Sequence, residues 1–213
     1  MLAALLRQVP VKSRCQVLEA LENLQFRRSA ICQLDNKVLE ASVQEIASAL
    51  FRNGGSETPK VIQAINELSP RDDIFVANFR SKSGMPNGVA RYMLLKIENM
   101  LRSENGQPAL DIDDVTLEHI IPKEPREHWK LDGESPDTKS LITQIGNLTL
   151  LRRGKNSEAS NLSFRDKKAI YGRPEHQLFI NRDVIGKSQW SAREVNERQA
   201  QLAEIAKKVW QLT

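Results

Sequence analysis

Residues 115–123 read VTLEHIIPK and residues 145–171 read IGNLTLLRRGKNSEASNLSFRDKKAIY, and the fold of this chain is read outward from these two runs. The first run is short and β-branched and stops at Pro122, where a ladder loses a backbone donor, so it predicts a strand over 115–121. Residues 147–151 predict a second strand, antiparallel to the first across a large insertion, and residues 163–171 predict a helix. Inside this frame stands His119, one of only three histidines, directly after Glu118 in an apolar run that accounts for neither residue.

Hydrolysis of a phosphodiester needs a base to activate water, and histidine is suited because its ordinary pKa lies near neutrality. It also needs positive charge where negative charge builds. A divalent cation supplies this, and Mg²⁺ takes only one or two protein oxygens while keeping water and substrate phosphate as its other ligands. Glu118 beside His119 suits that division of labour. Asn147, on the paired strand, is placed to fix the imidazole, and Asn156, nine residues later, to offer its amide oxygen to a metal. In a regular strand neighbouring side chains point to opposite faces, so Glu118 and His119 serve one site only if the strand end twists or the metal lies between hairpin and helix.

Taken singly, each residue has a plainer reading: His119 as a satisfied core histidine, Glu118 as a solvated strand residue, Asn147 in a turn and Asn156 as a helix cap. The basic residues Arg152, Arg153, Lys155, Arg165, Lys167, Lys168 and Arg173 outnumber Glu158 and Asp166 across this stretch; alone, such a run is equally a solvated helix face. Beside a phosphodiester site, Arg152, Arg153 and Lys155 are expected next to the scissile phosphate, positioning the backbone without reading bases. His128 and His176 sit among polar residues and read as surface histidines, while Trp129, Leu131 and Trp190 read as packing anchors.

The first hundred residues predict helices. Apolar positions recur at helical spacing over 11–24 and 38–51; Thr58 and Pro59 open another helix, Ser69 and Pro70 a shorter one, and 89–101 a further one. Residues 53–56 (NGGS) read as a loop and 103–108 (SENGQP) as a linker, and 123–144, broken by three prolines and glycines, as a long loop. The tail over 191–212 is amphipathic, with Ser191 as its cap.

A chain of 213 residues can bury one domain or two small ones. With 40% hydrophobic and 27% charged residues, and no apolar run near the roughly 18 residues of a membrane span, it reads as a soluble globular protein. The start, MLAALLRQVP, is too short and lacks the cleavage site of a secretory signal, so it is expected to form the first turns of a packed helix. Cys15 and Cys32 make neither a disulfide framework nor a zinc site, which points to a reducing cytoplasm. The net charge of +4 and the pI near 9.1 are by themselves weak evidence for a nucleic-acid partner.

Glu-His-Ile-Ile-Pro, Gly-Asn-Leu-Thr-Leu-Leu, Asn156 nine residues after Asn147, then Asn161, Phe164, Lys168 and Tyr171, resemble the HNH (His-Me finger) nuclease region at the C-terminal end of GmrSD-type modification-dependent restriction endonucleases. The interval between the asparagines is also similar to that in the HNH domain of the RNA-guided CRISPR nucleases. Phe26-Arg27-Arg28-Ser29, residues 69–79, residues 90–95 and a final helix ending near Trp210 extend the resemblance over most of the chain. It implies an α+β fold, mostly α: a helical domain over 1–108, a ββα-metal nuclease core over 109–175, and a C-terminal segment over 176–213 whose amphipathic helix packs on the core.

The same resemblance implies a metal-dependent DNA endonuclease acting against foreign or modified DNA. His119 would be the general base, Glu118 and Asn156 the ligands of Mg²⁺ or Mn²⁺, Asn147 the orienting residue and Asn161 an outer support. Arg152, Arg153, Lys155, Lys167 and Lys168 would hold DNA phosphates. The position before the histidine is Glu118, where many HNH nucleases have Asp, so coordination is expected either directly or through water. Relatives carry an N-terminal ParB-like nucleotide-hydrolysing domain with no counterpart here, so the chain is expected to be a fragment or one subunit. The alternative is a catalytically silent module that binds DNA or a partner within a restriction complex.

Overall fold

The computed structural model describes residues 9–35, 37–52, 56–129, 136–153, 159–174 and 177–212. The expectations for residues 1–8 and 53–55, and for Leu131, Lys155, Asn156 and His176, lie outside the described residues, as does the side chain of His128. The chain forms two compact units, Met1–Asn78 with Trp210–Thr213, and Phe79–Val209. Among the described residues, no helix is long and apolar enough to cross a membrane.

In the first unit, α1 (Val11–Gln25) runs into a wide π-type turn at Phe26–Ile31 and is followed by α2 (Lys37–Arg52) and α3 (Thr58–Glu67). Val17, Ala20 and Leu24 fall on one stripe of α1 and pack with Leu39 and Ile46 of α2 and Val61 and Ile65 of α3. Pro59 stands in the first turn of α3, where its missing N–H leaves no bond unmade. Arg27 is fully buried, and acceptors surround its guanidinium: the Pro70 carbonyl at 2.7 Å, the Trp210 carbonyl at 3.0 Å and the Asp72 carboxylate at 2.8 Å. The Phe75 ring lies 4.5 Å from its guanidinium carbon.

Helix α4 (Asp72–Ser81) spans the boundary between the units. The second unit then contains α5 (Asn87–Glu104), β1 (Val115–His119), α6 (Pro136–Thr143), β2 (Leu148–Arg152), α7 (Phe164–Tyr171), the short α8 (Arg182–Ile185) and α9 (Ala192–Val209). The described structure is therefore mostly helical with one small antiparallel pair. Its register sets Val115 opposite Arg152, Glu118 opposite Thr149 and His119 opposite Leu148. Strand β1 ends two residues earlier than expected, because Ile120 and Ile121 leave the pleat and enter a core with Trp129, Leu151, Ile170, Tyr171, Trp190 and Val195.

Two expectations differ from the fold. Residues 123–144 are not one long loop: Glu127–Trp129 makes a 3-10 turn and Pro136 opens α6, whose Leu141 and Ile142 are buried. Pro136 is a helix opener here and not a breaker, since a first-turn proline gives up no bond. Residues 103–108 do not act as a free linker. After Gly106, at φ +65°, the Gln107 N–H bonds the Arg102 carbonyl at 2.9 Å and Arg102 Nε bonds the Pro108 carbonyl at 2.6 Å. The domain boundary expected after residue 108 thus falls inside the second unit.

Helix α9 is capped by Ser191, whose Oγ accepts from the Arg193 N–H while Glu194 reaches back to the Ser191 N–H at 2.9 Å. From it, Gln199 takes the Gly146 N–H at 2.9 Å and donates to the Phe79, Arg80 and Lys82 carbonyls. Arg198 donates to the Gly146 carbonyl at 2.9 Å and the Leu148 carbonyl at 2.6 Å. This apposition requires a glycine, because a Cβ at position 146 would stand 2.1 Å from the Val195 carbonyl oxygen. Gly146→Ala is expected to lose about 1–3 kcal/mol or more, read as a fall in the urea midpoint of the full chain, and an unchanged midpoint contradicts the close-packing account.

Candidate active site

The end of β1, the turn after it and the segment before α7 enclose a pocket of about 280 Å³ lined by Asn87, Leu117, Glu118, His119, Pro122, Lys123, Ser160 and Asn161. Neighbours that a regular pleat would separate, Glu118 and His119, therefore border the same space. They do so where the strand stops and the chain turns at Ile120. Asn161 joins them from the segment preceding α7, and Lys123 stands exposed at the mouth.

The asparagine of β2's entry turn holds this corner in place. Asn147 is fully buried; its Oδ1 accepts from the Ile121 N–H at 2.8 Å and from Trp190 Nε1 at 3.2 Å. Its Nδ2 donates to the Ile121 and Ile142 carbonyls, each at 2.9 Å. The expected bond to the imidazole is replaced by a clamp on the backbone two residues beyond His119, because the amide's donors and acceptor are already committed there. Asn147 orients the histidine only through the chain.

Helix α7 supplies the cation next to Glu118. Lys167, expected on a DNA-facing rim, is fully buried, with Nζ 2.6 Å from Glu118 Oε1 and 2.7 Å from the His119 carbonyl oxygen. Its burial is legible once the helix is drawn: Phe164, Lys167 and Tyr171 fall at i, i+3 and i+7, on one face. Arg152 and Arg153 are also not beside His119. Register places Arg152 opposite Val115, four residues or roughly 13 Å along the strand from His119 at about 3.3 Å per residue. The Arg153 guanidinium is 3.7 Å from Asp113, and Lys168 Nζ bonds the Lys187 carbonyl at 2.9 Å. Sequence reasoning missed Asn87 and Lys123 as pocket residues; Lys123 carried a signal, being the cation directly after Pro122 at the strand's end.

Burial dominates the electrostatics. It pushes His119 down from its ordinary value to about 4, with the Lys123 and Lys167 charges adding to the effect, so the imidazole is neutral at neutral pH. Burial raises the Glu118 carboxyl, opposed by Lys167 and by the backbone N–H of His119, and burial lowers the Lys167 amine, opposed by Glu118.

A hydrated Mg²⁺ or Mn²⁺ fits these residues in a specific sense. A carboxylate has about four acceptor positions; Lys167 and the His119 N–H take two, so acceptor capacity is left. Among the described residues no three His, Cys, Asp or Glu side chains gather into a cage. The donor set suits a cation that keeps most of its water, not one fully enclosed by protein.

Compared with known families, the sequence matches the model of the GmrSD restriction endonucleases, C-terminal domain, over residues 69–205. The chain belongs to the GmrSD restriction endonuclease family. No curated protein matches it. The matched span encloses every described pocket residue and the helix that carries Lys167.

The His119 shift has a defined consequence. A histidine whose folded pKa is lowered contributes stability that is complete above its unfolded value of 6.5 and is lost as pH falls through about 4. In an NMR titration of the full chain, the His119 imidazole is expected to protonate near pH 4, and a midpoint at about 6 or above, the ordinary range, contradicts the buried neutral imidazole.

Proposed function

We propose that this chain is the nuclease part of a restriction system: a metal-dependent endonuclease of the HNH (His-Me finger) type that hydrolyses phosphodiester bonds in foreign or modified DNA. The observation that carries the reading is that a neutral, half-buried His119 and its neighbour Glu118 both line one polar pocket. Two further features support it: the antiparallel pair followed by a helix folded back onto its end, and membership of a restriction endonuclease family.

His119 is the general base. Being neutral, it has a nitrogen able to take the proton of a water molecule as that water's oxygen bonds to phosphorus; the sugar oxygen leaves and is protonated from solvent. Asn147 keeps the His119–Ile121 backbone in one place, and Lys123 at the mouth offers a positive charge to a phosphate oxygen. Glu118, together with Asn156, would hold Mg²⁺ or Mn²⁺, which when bound supplies positive charge where the phosphorane charge develops. Asn161 is an outer support. Arg152, Arg153, Lys155 and Lys168 contact phosphates along the backbone, with Arg152 and Arg153 serving positions away from the scissile bond. The working partners are DNA and a nucleotide-hydrolysing domain or subunit. Cys15 and Cys32, not joined in a disulfide, suit a cytoplasmic setting.

A supercoiled-plasmid assay with Mg²⁺, Mn²⁺ or chelator tests the reading. The full chain is expected to nick or linearise the plasmid only with metal. His119→Ala is expected to lower the rate by about 100-fold or more, as loss of a general base does, with the melting temperature retained. Undiminished cleavage by the variant removes His119 from the chemistry. Salt-sensitive DNA binding without turnover under any metal would instead identify a silent binding module.

A further inference from the structure

We propose that Lys167 is a positioning residue of the site, fastening the Glu118 carboxylate and the His119 backbone to one ammonium so that both face the same pocket. This rests on the nuclease reading above. Three observations converge on it.

The first is the hydrogen-bond phase of the ladder. Ile120 donates to the Asn147 carbonyl at 2.9 Å and Arg153 donates to the Asp114 carbonyl at 2.9 Å, so the even-numbered positions of β1 exchange bonds with β2. By the alternation of an antiparallel pair, the His119 carbonyl faces away from β2 and has no ladder partner. Lys167 Nζ supplies that partner at 2.7 Å. The second is that the same nitrogen lies 2.6 Å from Glu118 Oε1. A single donor group thus spans two successive residues whose side chains a pleat would send to opposite faces.

The third is that packing alone gives little reason for this pair. Lys167 is fully buried and Glu118 nearly so. A buried ion pair recovers little net stability over apolar side chains of similar volume, while either charge left alone is strongly unfavourable. Lys167 stands on the apolar face of α7 between Phe164 and Tyr171, where a methionine would fill the same space. What methionine would not do is fix the strand end. Lys167, fully buried, acts through the two residues it holds.

The test uses the full chain and Lys167→Met. The variant is expected to retain its circular-dichroism spectrum, to hold the KM for supercoiled plasmid within about twofold, and to lose kcat by about 100-fold, the scale set by a displacement of about 1 Å at a reacting group. The His119 imidazole cross-peaks, assigned by their loss in His119→Asn, are expected to move in Lys167→Met without DNA or metal. A kcat near wild type, or a raised KM at unchanged kcat as for a DNA contact, overturns the proposal. If Lys167→Met does not fold, Lys167→Arg decides: it keeps the charge but changes reach and donor geometry, so lowered kcat at constant KM supports positioning and wild-type kcat overturns it. A wild-type chain inert toward DNA under every metal refutes the nuclease reading separately. In that event the cross-peaks alone judge Lys167, with unmoved peaks counting against it.

Discussion

The site hangs on a single close approach. The Ile145–Asn147 turn sits so near α9 that position 146 has no room for a side chain, and two buried side chains of that helix bind the backbone there. With the Leu148 carbonyl taken by Arg198, the first residue of β2 cannot slide, and the pairing of Leu148 with His119 follows from it. A slip of one residue would send His119 to the other face of the pair. The histidine's placement is therefore decided about 80 residues downstream, by a helix that does not border the pocket.

Charge inside this unit is kept by local compensation. The Arg198 guanidinium is buried but has carbonyls, Thr149 and Asp183 around it, and Glu98 on α5 accepts the Ile180 N–H at 2.8 Å. The same desolvation that raises Glu98 and Glu118 keeps His119 uncharged. Burial thus keeps the His119 imidazole neutral but works against the Glu118 carboxylate, whose charged form is supported by Lys167 and the His119 N–H.

Much of this was legible because it is local. The two short strands, the helix capped by Ser163, the tail helix capped by Ser191 and the pairing of Glu118 with His119 each come from residue types at fixed spacing. What was not legible depends on distant segments. Asn147 was expected to hold the imidazole, yet its amide is spent on Ile121, Ile142 and Trp190, which no spacing rule brings together. Lys167 looked like a rim cation because a run of basic residues hides which face of the helix each occupies. Asn87, far upstream on α5, gives no sequence signal that it borders the pocket. The linker reading of residues 103–108 differs for a related reason: breaker-rich composition marks a turn, but only the hydrogen bonds back onto Arg102 tell a closed turn from a free linker.

The order of the parts also matters while the protein is being made. Every described residue of the pocket, and Lys167 with it, has been synthesised before α9 exists, since that helix begins at Ala192. Until α9 emerges, the glycine turn has no surface to seat against, and the bonds it will make span 50 to 53 residues of chain. Such non-local contacts form late. A nascent chain can thus hold every described residue of the pocket before the contacts that seat the glycine turn exist, and emergence of α9 is the event that lets those contacts form.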